Sequence, residues 1–459
     1  MKYVESGTNH SHSVGYTYDN LNRLTQLVES INGVKHTTSY TYDVDNRLTG
    51  TVTQTDDQHT ITNTYTYDAY GRLTGSYSQL DGYEGIYKDF IFKVLSNGQP
   101  TGQIINYQAE APEFTVNFDL TYDNNGNITS VAYGLYYYSY EYDRANQLTR
   151  ENNSMAGKTW VWVYDDAGNI LRREEYAYTT GALGSIQDTI YYTYGNTNWG
   201  DLLTAYDGED LYYDAVGNLV RDGEWDYTWE HGRELTSMLH GSYGWYFTYD
   251  VNGLRTQRTN GATTYQYVYN GSQLVQMTVG SHKLEFFYDA SGAPVVVLWN
   301  GTPYYYVTSL QGDVVLILDN TGELVVSYDY DAWGNILAIG GSLAPTLGAF
   351  NPLRYRGYVY DAETELYYLQ SRYYNPEWGR FLNAGALVST GQGELGNNMF
   401  AYCGNNPVCR KDICGTTYTS AEIHNFVVAD ICANNPHMHG RETYMLYMKP
   451  VLSVGKWHY

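Results

Sequence analysis

The amino-acid sequence predicts an all-β protein built from consecutive β-hairpins. Three observations indicate this fold class: a recurring ten-residue signature, a composition rich in Tyr and Gly, and turn-forming residues at fixed positions. The signature is clearest at 16–25 (YTYDNLNRLT), 40–49 (YTYDVDNRLT) and 65–74 (YTYDAYGRLT). Self-similarity of this kind marks repeat architectures, so we expect many copies of one supersecondary unit stacked along the chain.

Each copy of the repeat can be located by one acidic residue that ends an aromatic-x-Tyr stretch. Aromatic and polar residues alternate before it, which predicts a strand with two different faces. The Asp carboxylate accepts hydrogen bonds from backbone N–H groups about two residues later and so starts a turn. Glu230 and Asn270 occupy this position in degenerate copies, and the aspartates are Asp19, Asp43, Asp68, Asp123, Asp143, Asp165, Asp214, Asp250, Asp289, Asp331 and Asp361.

Three residues after each Asp the sequence places Gly or Asn, as at Gly71, Gly168 and Asn46. Both residue types tolerate the left-handed backbone that a tight hairpin needs. A Leu-Thr or Ile-Thr pair then begins the return strand. A single hairpin is marginal in water, so neighbouring hairpins are expected to pair edge to edge. Two less regular stretches, 76–118 and 176–208, are compatible either with longer hairpins or with surface loops.

The composition agrees with a water-facing sheet. The 459 residues include 53 Tyr and 46 Gly, and the formal net charge is −24. Tyr favours strands and combines an apolar ring with a hydroxyl that can face water. The negative charge argues against nucleic acid or an anionic membrane surface as a partner of the array. No cofactor is predicted, and the most apolar runs, 294–299 and 313–319, are too short to span a membrane.

The start of the chain carries no recognisable targeting segment. Residues 1–19 lack the apolar core of a signal peptide and lead directly into a repeat. We therefore expect either a fragment of a longer protein or export by a route without an N-terminal signal. The cysteines all come late, and their spacing fits no standard zinc pattern. The loose spacing also disfavours a metal site formed by Cys432 with His437 and His439, and no metal is predicted.

Beyond the repeats, three segments carry a more specific signature. They are residues 304–337, 351–381 (NPLRYRGYVYDAETELYYLQSRYYNPEWGRF) and 397–415 (NNMFAYCGNNPVCRKDICG). Together with the repeats, in this order, they resemble the Rhs/YD-repeat proteins with an RHS repeat-associated core. The sequence at 375–380 (NPEWGR) is similar to that of Gram-positive members.

The resemblance implies a β-hairpin strip that spirals into part of a hollow shell, with the core segment as a plug at one end. It implies that the polypeptide after the plug is a variable cargo, often a toxin, and that the protein is secreted or wall-associated in bacterial competition. The implied domains are a repeat array at 1–300, the core at 301–415, and a short α+β tail at 416–459. The implied partners are the chain's own C-terminal cargo, upstream repeats, an immunity protein and cell-surface glycans.

In many members of this family the core is an aspartyl autoprotease, which needs two neighbouring carboxylates. Here Asn375 and Gly385 stand where the family commonly has Asp, although Asp412 remains. Arg372 and Arg380 also match the family. The resemblance places the cleavage region at Asp412, Gly415 and Thr416.

Because one carboxylate cannot form the pair, we expect impaired self-cleavage and a structural role for the remnant residues, in ion pairs and turns. Glu365 is a further departure, since the family usually has Gly there. If that position has a positive φ, the Glu is destabilising.

The tail predicts a short amphipathic helix within 421–435 followed by two strands around Pro450. With so few residues it fits a truncated toxin domain rather than one that folds alone. His424, His437, His439 and His458 make an intact nuclease-like domain the competing interpretation.

For the whole chain the leading hypothesis is a structural shell and plug that encloses a cargo. A second hypothesis is a wall-binding or carbohydrate-binding adhesin, in which exposed aromatic rings stack on sugars. Its candidate residues, which sheet packing would equally explain, are Trp160, Trp162, Trp225, Trp229 and Trp245. A third is a self-cleaving aspartyl autoprotease that releases a nuclease-like tail, and a fourth is an inactive fragment displaced by recombination.

Overall fold

The computed structural model describes residues 2–6, 11–387, 394–416 and 418–420. In these residues nearly all regular structure is antiparallel β-strand, with four short helical turns. The predicted all-β fold class is therefore confirmed. The predicted helix after 421 lies outside the described residues.

The first sheet has eighteen strands, and each pairs with the next along the chain in an antiparallel meander. They are β1 (Lys2–Ser6), β2 (Ser11–Tyr18), β3 (Leu24–Ile31), β4 (Val34–Tyr42), β5 (Leu48–Thr55), β6 (Thr60–Tyr67), β7 (Leu73–Leu80), β8 (Ile86–Val94), β9 (Pro100–Ala111), β10 (Phe114–Tyr122), β11 (Ile128–Tyr133), β12 (Tyr136–Tyr142), β13 (Leu148–Asn153), β14 (Lys158–Tyr164), β15 (Ile170–Ala177), β16 (Asp188–Thr193), β17 (Ala205–Tyr206) and β18 (Glu209–Asp210).

The second sheet has fourteen strands with the same sequential pairing. They are β19 (Tyr212–Tyr213), β20 (Leu219–Arg221), β21 (Asp226–Glu230), β22 (Glu234–His240), β23 (Tyr243–Tyr249), β24 (Arg255–Thr259), β25 (Thr264–Asn270), β26 (Gln273–Val279), β27 (His282–Tyr288), β28 (Pro294–Trp299), β29 (Thr302–Thr308), β30 (Val314–Leu318), β31 (Leu324–Tyr330) and β32 (Ile336–Gly340).

We call β1–β32 the wall and the described residues from 344 to 420 the plug. The plug holds a four-stranded and a two-stranded sheet. Its strands are β33 (Val359–Asp361), β34 (Leu366–Tyr368), β35 (Tyr373–Asn375), β36 (Arg380–Phe381), β37 (Arg410–Asp412) and β38 (Tyr418–Ser420), and its helical turns are Ala344–Gly348, Tyr355–Gly357, Glu394–Asn397 and Tyr402–Asn405.

These bounds differ in two places from the predicted domains. The second sheet runs unbroken past residue 300, because β28 pairs with β29 across that point. The predicted tail, which starts at 416, begins inside a plug hairpin in which β38 pairs with β37. The two irregular stretches also differ from each other. Residues 76–118 form long hairpins, whereas 176–208 is mostly loop around β16 and β17.

The repeat turns share one backbone geometry. At the first of them the Asp19 N–H donates to the Arg23 carbonyl (3.0 Å), and the Asn22 N–H donates back to the Asp19 carbonyl (3.0 Å). Asn22 has φ +61°, the left-handed conformation that Asn and Gly adopt most easily. The strand pairing slips by one residue just before the Asp, between Thr17 and Tyr18, which is a β-bulge. The bulge and the turn together fix the register of each hairpin.

The wall's inner face is lined by aromatic rings in cross-strand contact. Phe90, Tyr107, Phe118 and Tyr133, on β8 to β11, stack in sequence with ring centroids 5.2, 5.2 and 4.7 Å apart. One large buried cluster extends from such wall residues into the plug. Aromatic cross-strand pairs therefore stabilise neighbouring hairpins in a protein whose core is shared between wall and plug.

The two sheets also contact each other directly. The Leu80 N–H donates to the Tyr305 hydroxyl, and the Ala290 N–H donates to the Tyr65 hydroxyl, both at 2.9 Å. Elsewhere Glu151 of the first sheet accepts the Ala332 N–H at 3.0 Å. The strip thus returns upon itself, and buried Tyr hydroxyls satisfy backbone groups at the contact.

Candidate functional site

The plug contains a cleft built around the side chain of Arg372, which lies between β34 and β35. Its Nη2 is 3.0 Å from Asp412 Oδ2, and its Nη1 donates to the Met399 carbonyl at 3.1 Å. Nε donates to the Gly415 carbonyl. The guanidinium also lies over the Phe381 ring, 3.4 Å from its centroid. One Arg therefore ties three separate segments of the plug together.

The predicted cleavage region is held by backbone and side-chain contacts on both sides. Asp412 Oδ1 accepts the N–H groups of Gly415 (2.8 Å) and Thr416 (3.1 Å). The Ser371 hydroxyl lies 2.6 Å from the Cys414 carbonyl and 2.9 Å from that of Gly415. Residues 412–416 therefore form a tight turn whose carbonyls point at donors of the 371–372 segment.

Burial governs the electrostatics of this ion pair. The side chains of Arg372 and Asp412 are 6% and 2% exposed. Burial raises the pKa of Asp412 above its ordinary value, and the neighbouring Arg372 opposes that rise. Burial likewise lowers the pKa of Arg372, and Asp412 opposes that change. The two groups compensate each other in a site where an isolated charge would be costly.

Gly385 lies in the same cleft. Its N–H donates to the Met399 carbonyl at 2.8 Å. A Cβ added at this position would lie 3.4 Å from Arg372 Nη1. Gly385, Asp412 and Thr416 line one pocket. Of the positions compared with the family, the structure therefore brings Gly385, Arg372 and Asp412 together.

Asn375 and Arg380 have other roles. Asn375 Oδ1 accepts the Trp378 N–H at 3.1 Å and so shapes the turn between β35 and β36. Arg380 donates to the Asp201 carbonyl of the wall at 2.8 Å. Neither residue lines the Arg372–Asp412 cleft. In the described part of the chain Asp412 is the only carboxylate that does, so a two-carboxylate site is not formed there.

The repeat aspartates perform one local task. Asp43 Oδ1 accepts the N–H groups of Asp45 and Arg47, both at 2.9 Å, and its Oδ2 accepts the Arg47 side chain at 2.7 Å. Equivalent bonds occur at Asp19, Asp68, Asp123, Asp143, Asp165, Asp214 and Asp331, and Asp250 and Asp289 accept the two backbone N–H groups.

Asp361 departs from this predicted turn role. It lies at the end of β33, and its carboxylate accepts two N–H groups of Arg255 on the wall. The residue that takes the positive φ in its turn is Glu365 (φ +56°). Asp361 is thus a buried ion-pair residue, because the Arg255 guanidinium of β24 binds both of its carboxylate oxygens.

The tryptophans considered for sugar stacking are mostly inside the wall. Trp160, Trp162, Trp225 and Trp245 are buried, and Trp229 is half-buried with its indole N–H on the Leu219 carbonyl (2.6 Å). Sheet packing therefore accounts for them. Cys432, His437 and His439 lie outside the described residues, and among the residues that are described no group of three His, Cys, Asp or Glu could hold a metal ion.

A family model described as Teneurin YD-shell matches residues 103–408, which is more than half of the chain. The chain belongs to the Teneurin YD-shell family. The resemblance to Rhs/YD-repeat proteins is therefore confirmed. In this YD-shell protein the described residues contain no helix long and apolar enough to cross a membrane.

The YD-shell protein is similar to larger proteins. The tRNA3(Ser)-specific nuclease WapA of Bacillus spizizenii is 31% identical over 278 residues, covering 59% of this chain and 11% of that protein. A structure of the Photorhabdus luminescens Tc holotoxin pore, with a TccC3 mutation, has a TM-score of 0.71 at 19% identity over 89% of this chain and 21% of that one. A crystal structure of TcdB2-TccC3 without its hypervariable C-terminal region has a TM-score of 0.70 at 19% identity, covering 88% of this chain and 21% of that one. The YD-shell chain thus spans about a tenth to a fifth of these relatives.

Several residues that join the plug of the YD-shell to its wall were not predicted from the sequence. Asn398, Asn405 and Asn406 donate to wall residues. Arg356 is paired with Asp313 at 3.0 Å. The available signal was a change of residue type four positions after the repeat Asp, from Arg in the first three copies to Asn or Gln in five of the later ones.

Proposed function

We propose that this chain is the shell and plug segment of a bacterial polymorphic toxin and that it encloses and presents a C-terminal cargo. The observation that carries the proposal is the attachment of the plug to the wall. Arg255 and Arg258 of β24 pair with Asp361 and Glu363 of the plug, so the plug is an integral part of the shell. The residues that lead into the tail are clamped in it through Arg372.

The relatives support this assignment by what their names state. WapA is named as a nuclease, and TccC3 is described with a hypervariable C-terminal region. A constant shell with an exchangeable terminal domain fits both descriptions. On this basis the partners are the chain's own cargo and further repeat shell, and the setting is secreted or wall-associated.

Self-cleavage is expected to be impaired in this chain. The cleft presents Asp412 and Arg372 to the 412–416 turn, but Gly385 supplies no second carboxylate. An aspartyl mechanism divides water activation and carbonyl polarisation between two acids. The cleft therefore acts as a structural clamp, and the tail stays attached to its shell.

Trypsin treatment of the native chain tests enclosure. Arg441 and Lys456 in the tail are the reporter sites, and Arg144, exposed in a wall turn, is the matched control. Enclosure predicts that Arg144 is cut first while both tail sites stay intact until the protein is unfolded. Rapid cutting at Arg441 or Lys456 in the folded chain would contradict an enclosed cargo. Intact mass after prolonged incubation tests the clamp, with one uncut species expected.

A further inference from the structure

The residue four positions after the repeat Asp, called here position +4, is Arg or a primary amide at eight of the ten turns from Asp19 to Asp331, with Leu254 and Ala293 at the other two. The first three turns have Arg23, Arg47 and Arg72, and the next complete turns have Asn127, Gln147, Asn169 and Asn218. Both kinds bind the same atom of their own turn. Arg23 Nε donates to Asp19 Oδ2 at 2.7 Å, and Asn127 Nδ2 donates to Asp123 Oδ2 at 2.8 Å. The local turn therefore does not explain why two kinds exist.

The second wall contact of position +4 is also shared. Arg23 Nη1 donates to Asn46 Oδ1 of the next turn at 3.0 Å. Asn127 Nδ2 donates to Asn146 Oδ1 of its next turn at 2.8 Å. Asn46 and Asn146 occupy the same repeat position, three after Asp, with φ +65° and +62°. An Arg and an Asn thus make equivalent wall contacts at these two turns.

The two kinds differ in what they offer the plug. Because the turn carboxylate can only accept, each +4 amide gives its NH2 to the Asp and leaves its oxygen free to accept. Plug asparagines donate to three such oxygens: Asn406 to Asn127 (2.9 Å), Asn405 to Gln147 (2.8 Å) and Asn398 to Asn169 (2.9 Å). The plug chain therefore meets the turns in reverse order of sequence.

The direction of the Asn406 and Asn398 bonds is fixed by the network around them. Asn406 Oδ1 accepts the Cys409 N–H at 3.1 Å, which leaves its NH2 for the wall. Asn398 Oδ1 likewise accepts the N–H groups of Phe400 and Ala401. Asn127 is 6% exposed and Asn406 is fully buried. A buried amide without its partner carries the full desolvation cost, so donor and acceptor must match.

An Arg at position +4 cannot make this contact, because a guanidinium has no acceptor atom. Arg23 and Arg47 instead donate to neighbouring turns of the wall, and Arg72 donates to the Thr101 carbonyl of β9. In the described residues none of the three is hydrogen-bonded to the plug. Their side chains keep 23–32% of their surface exposed.

We propose that position +4 is a docking code: an amide marks a wall turn on which the plug seats, and an Arg marks a turn that the plug does not occupy. The partner that fits the coded surface is a segment presenting primary-amide N–H donors, here the plug residues around 398–406. The inference rests on the proposed shell-and-plug function and adds the residues that set where the plug sits.

The test is Asn127→Arg, which keeps both wall bonds that Arg23 makes and removes the acceptor for Asn406. Hydrogen exchange with mass spectrometry reports the plug and the wall separately. The expected result is exchange about tenfold or more faster in the 402–412 region, since one buried pair is lost, with wall exchange unchanged. The matched control is Arg23→Asn at a plug-free turn, which should leave plug exchange as it is.

A rescue separates the code from general damage. Asn406→Asp keeps the oxygen that accepts the Cys409 N–H and replaces the NH2 donor that faces Asn127 with an acceptor. As a single variant it should therefore also speed hydrogen exchange in the plug. Combined with Asn127→Arg it restores a donor–acceptor match, and plug protection should return. If N127R does not fold, plug exchange in N406D, whose wall sequence is unaltered, tests the code.

Unchanged plug exchange in both Asn127→Arg and Asn406→Asp would overturn the code. Plug exchange that is as fast in Arg23→Asn as in Asn127→Arg would also overturn it. Failure of the double variant to regain protection, with its wall folded, would also overturn it. The result is independent of tail digestion by trypsin. A tail that is cut readily in the wild-type chain would count against cargo enclosure while plug exchange still decides the code.

Discussion

Arg255 on wall strand β24 and Asp361 on plug strand β33 form a buried bidentate ion pair. Nη1 lies 2.5 Å from Oδ2 and Nη2 lies 2.8 Å from Oδ1, with side-chain exposures of 0% and 1%. The guanidinium also lies over the Tyr368 ring, 4.5 Å from its centroid. The pair joins residues 106 positions apart, so it links plug docking to the folding of the wall.

Asp361→Asn should lower the free energy of unfolding by about 3–5 kcal/mol, because it leaves the Arg255 charge buried without its partner. Urea denaturation of both proteins measures the difference. Asp226→Asn is the control, since its pair with Arg221 is more than half exposed, and its midpoint should equal that of the wild type. A midpoint for Asp361→Asn as high as that of the control would refute the role of the pair.

The parts of the fold that are decided locally could be predicted from the sequence. The turn geometry at Asp19 or Asp43 follows from residues within four positions, so the hairpins and the all-β class could be predicted. Asp361 shows the limit of such reasoning. Its surroundings resemble a repeat turn, but its partner comes from a distant strand, and no periodicity in the sequence indicates that pairing.

The candidate site was predictable only in part. The resemblance drew attention to Asn375 and Gly385 alike, yet Gly385 lies beside Arg372 while Asn375 shapes a separate turn. Which of these residues lies near Arg372 depends on how β35, β36 and β37 are arranged in the plug, and a single sequence does not reveal that arrangement. The amides of the plug were missed because an isolated Asn predicts a turn more readily than an interface.

Glu365→Gly should stabilise the protein by about 0.5–1 kcal/mol. Glu365 is exposed and has φ +56°, a conformation that costs a residue with a Cβ more than it costs Gly. Thermal unfolding should show the rise. Ala362→Gly, three residues earlier and also exposed, is the control and should destabilise, because Gly there adds only unfolded-state entropy. Equal shifts in both variants would remove the backbone explanation.

Stability should fall with rising pH through the buried carboxyl of Glu151. This residue is fully buried, and burial, then the neighbouring Asp331, raises its pKa from 4.5 to about 8. Burial also raises the pKa of Asp331. Since the unfolded chain ionises first, folding stability is complete below about pH 4.5 and declines until about pH 8, by on the order of 5 kcal/mol.

Glu151→Gln removes the titration while keeping an oxygen that can accept the Ala332 N–H. Urea unfolding at pH 5 and pH 9 should therefore show a smaller loss of stability in this variant than in the wild type. Glu141→Gln, at an exposed site on β12, should reproduce the wild-type pH dependence. If E151Q loses as much stability as the wild type between the two pH values, another group carries the effect.

Gly385→Asp should restore self-cleavage between Asp412 and Thr416. The new Cβ would lie 3.4 Å from Arg372 Nη1, and Asp412 Oδ2 already lies 3.0 Å from Nη2, so one guanidinium would hold two carboxyl groups near the 412–416 turn. The carbonyls of Met399 and Leu387, 3.4 and 3.7 Å from that Cβ, favour a protonated form of one acid. The variant would thus place two carboxyl groups beside the 412–416 turn, and aspartyl chemistry needs two such groups.

Intact mass of the purified chain over several days measures the cut. Gly385→Asn, which has the same shape and cannot ionise, should remain whole, and Gly385→Asp combined with Asp412→Asn should also remain whole. Cleavage in the Asn variant would indicate that a side chain at 385 acts by changing backbone geometry rather than by supplying a carboxyl group. An uncut Gly385→Asp chain that retains the wild-type unfolding midpoint would show that two carboxyls beside Arg372 do not suffice in this plug.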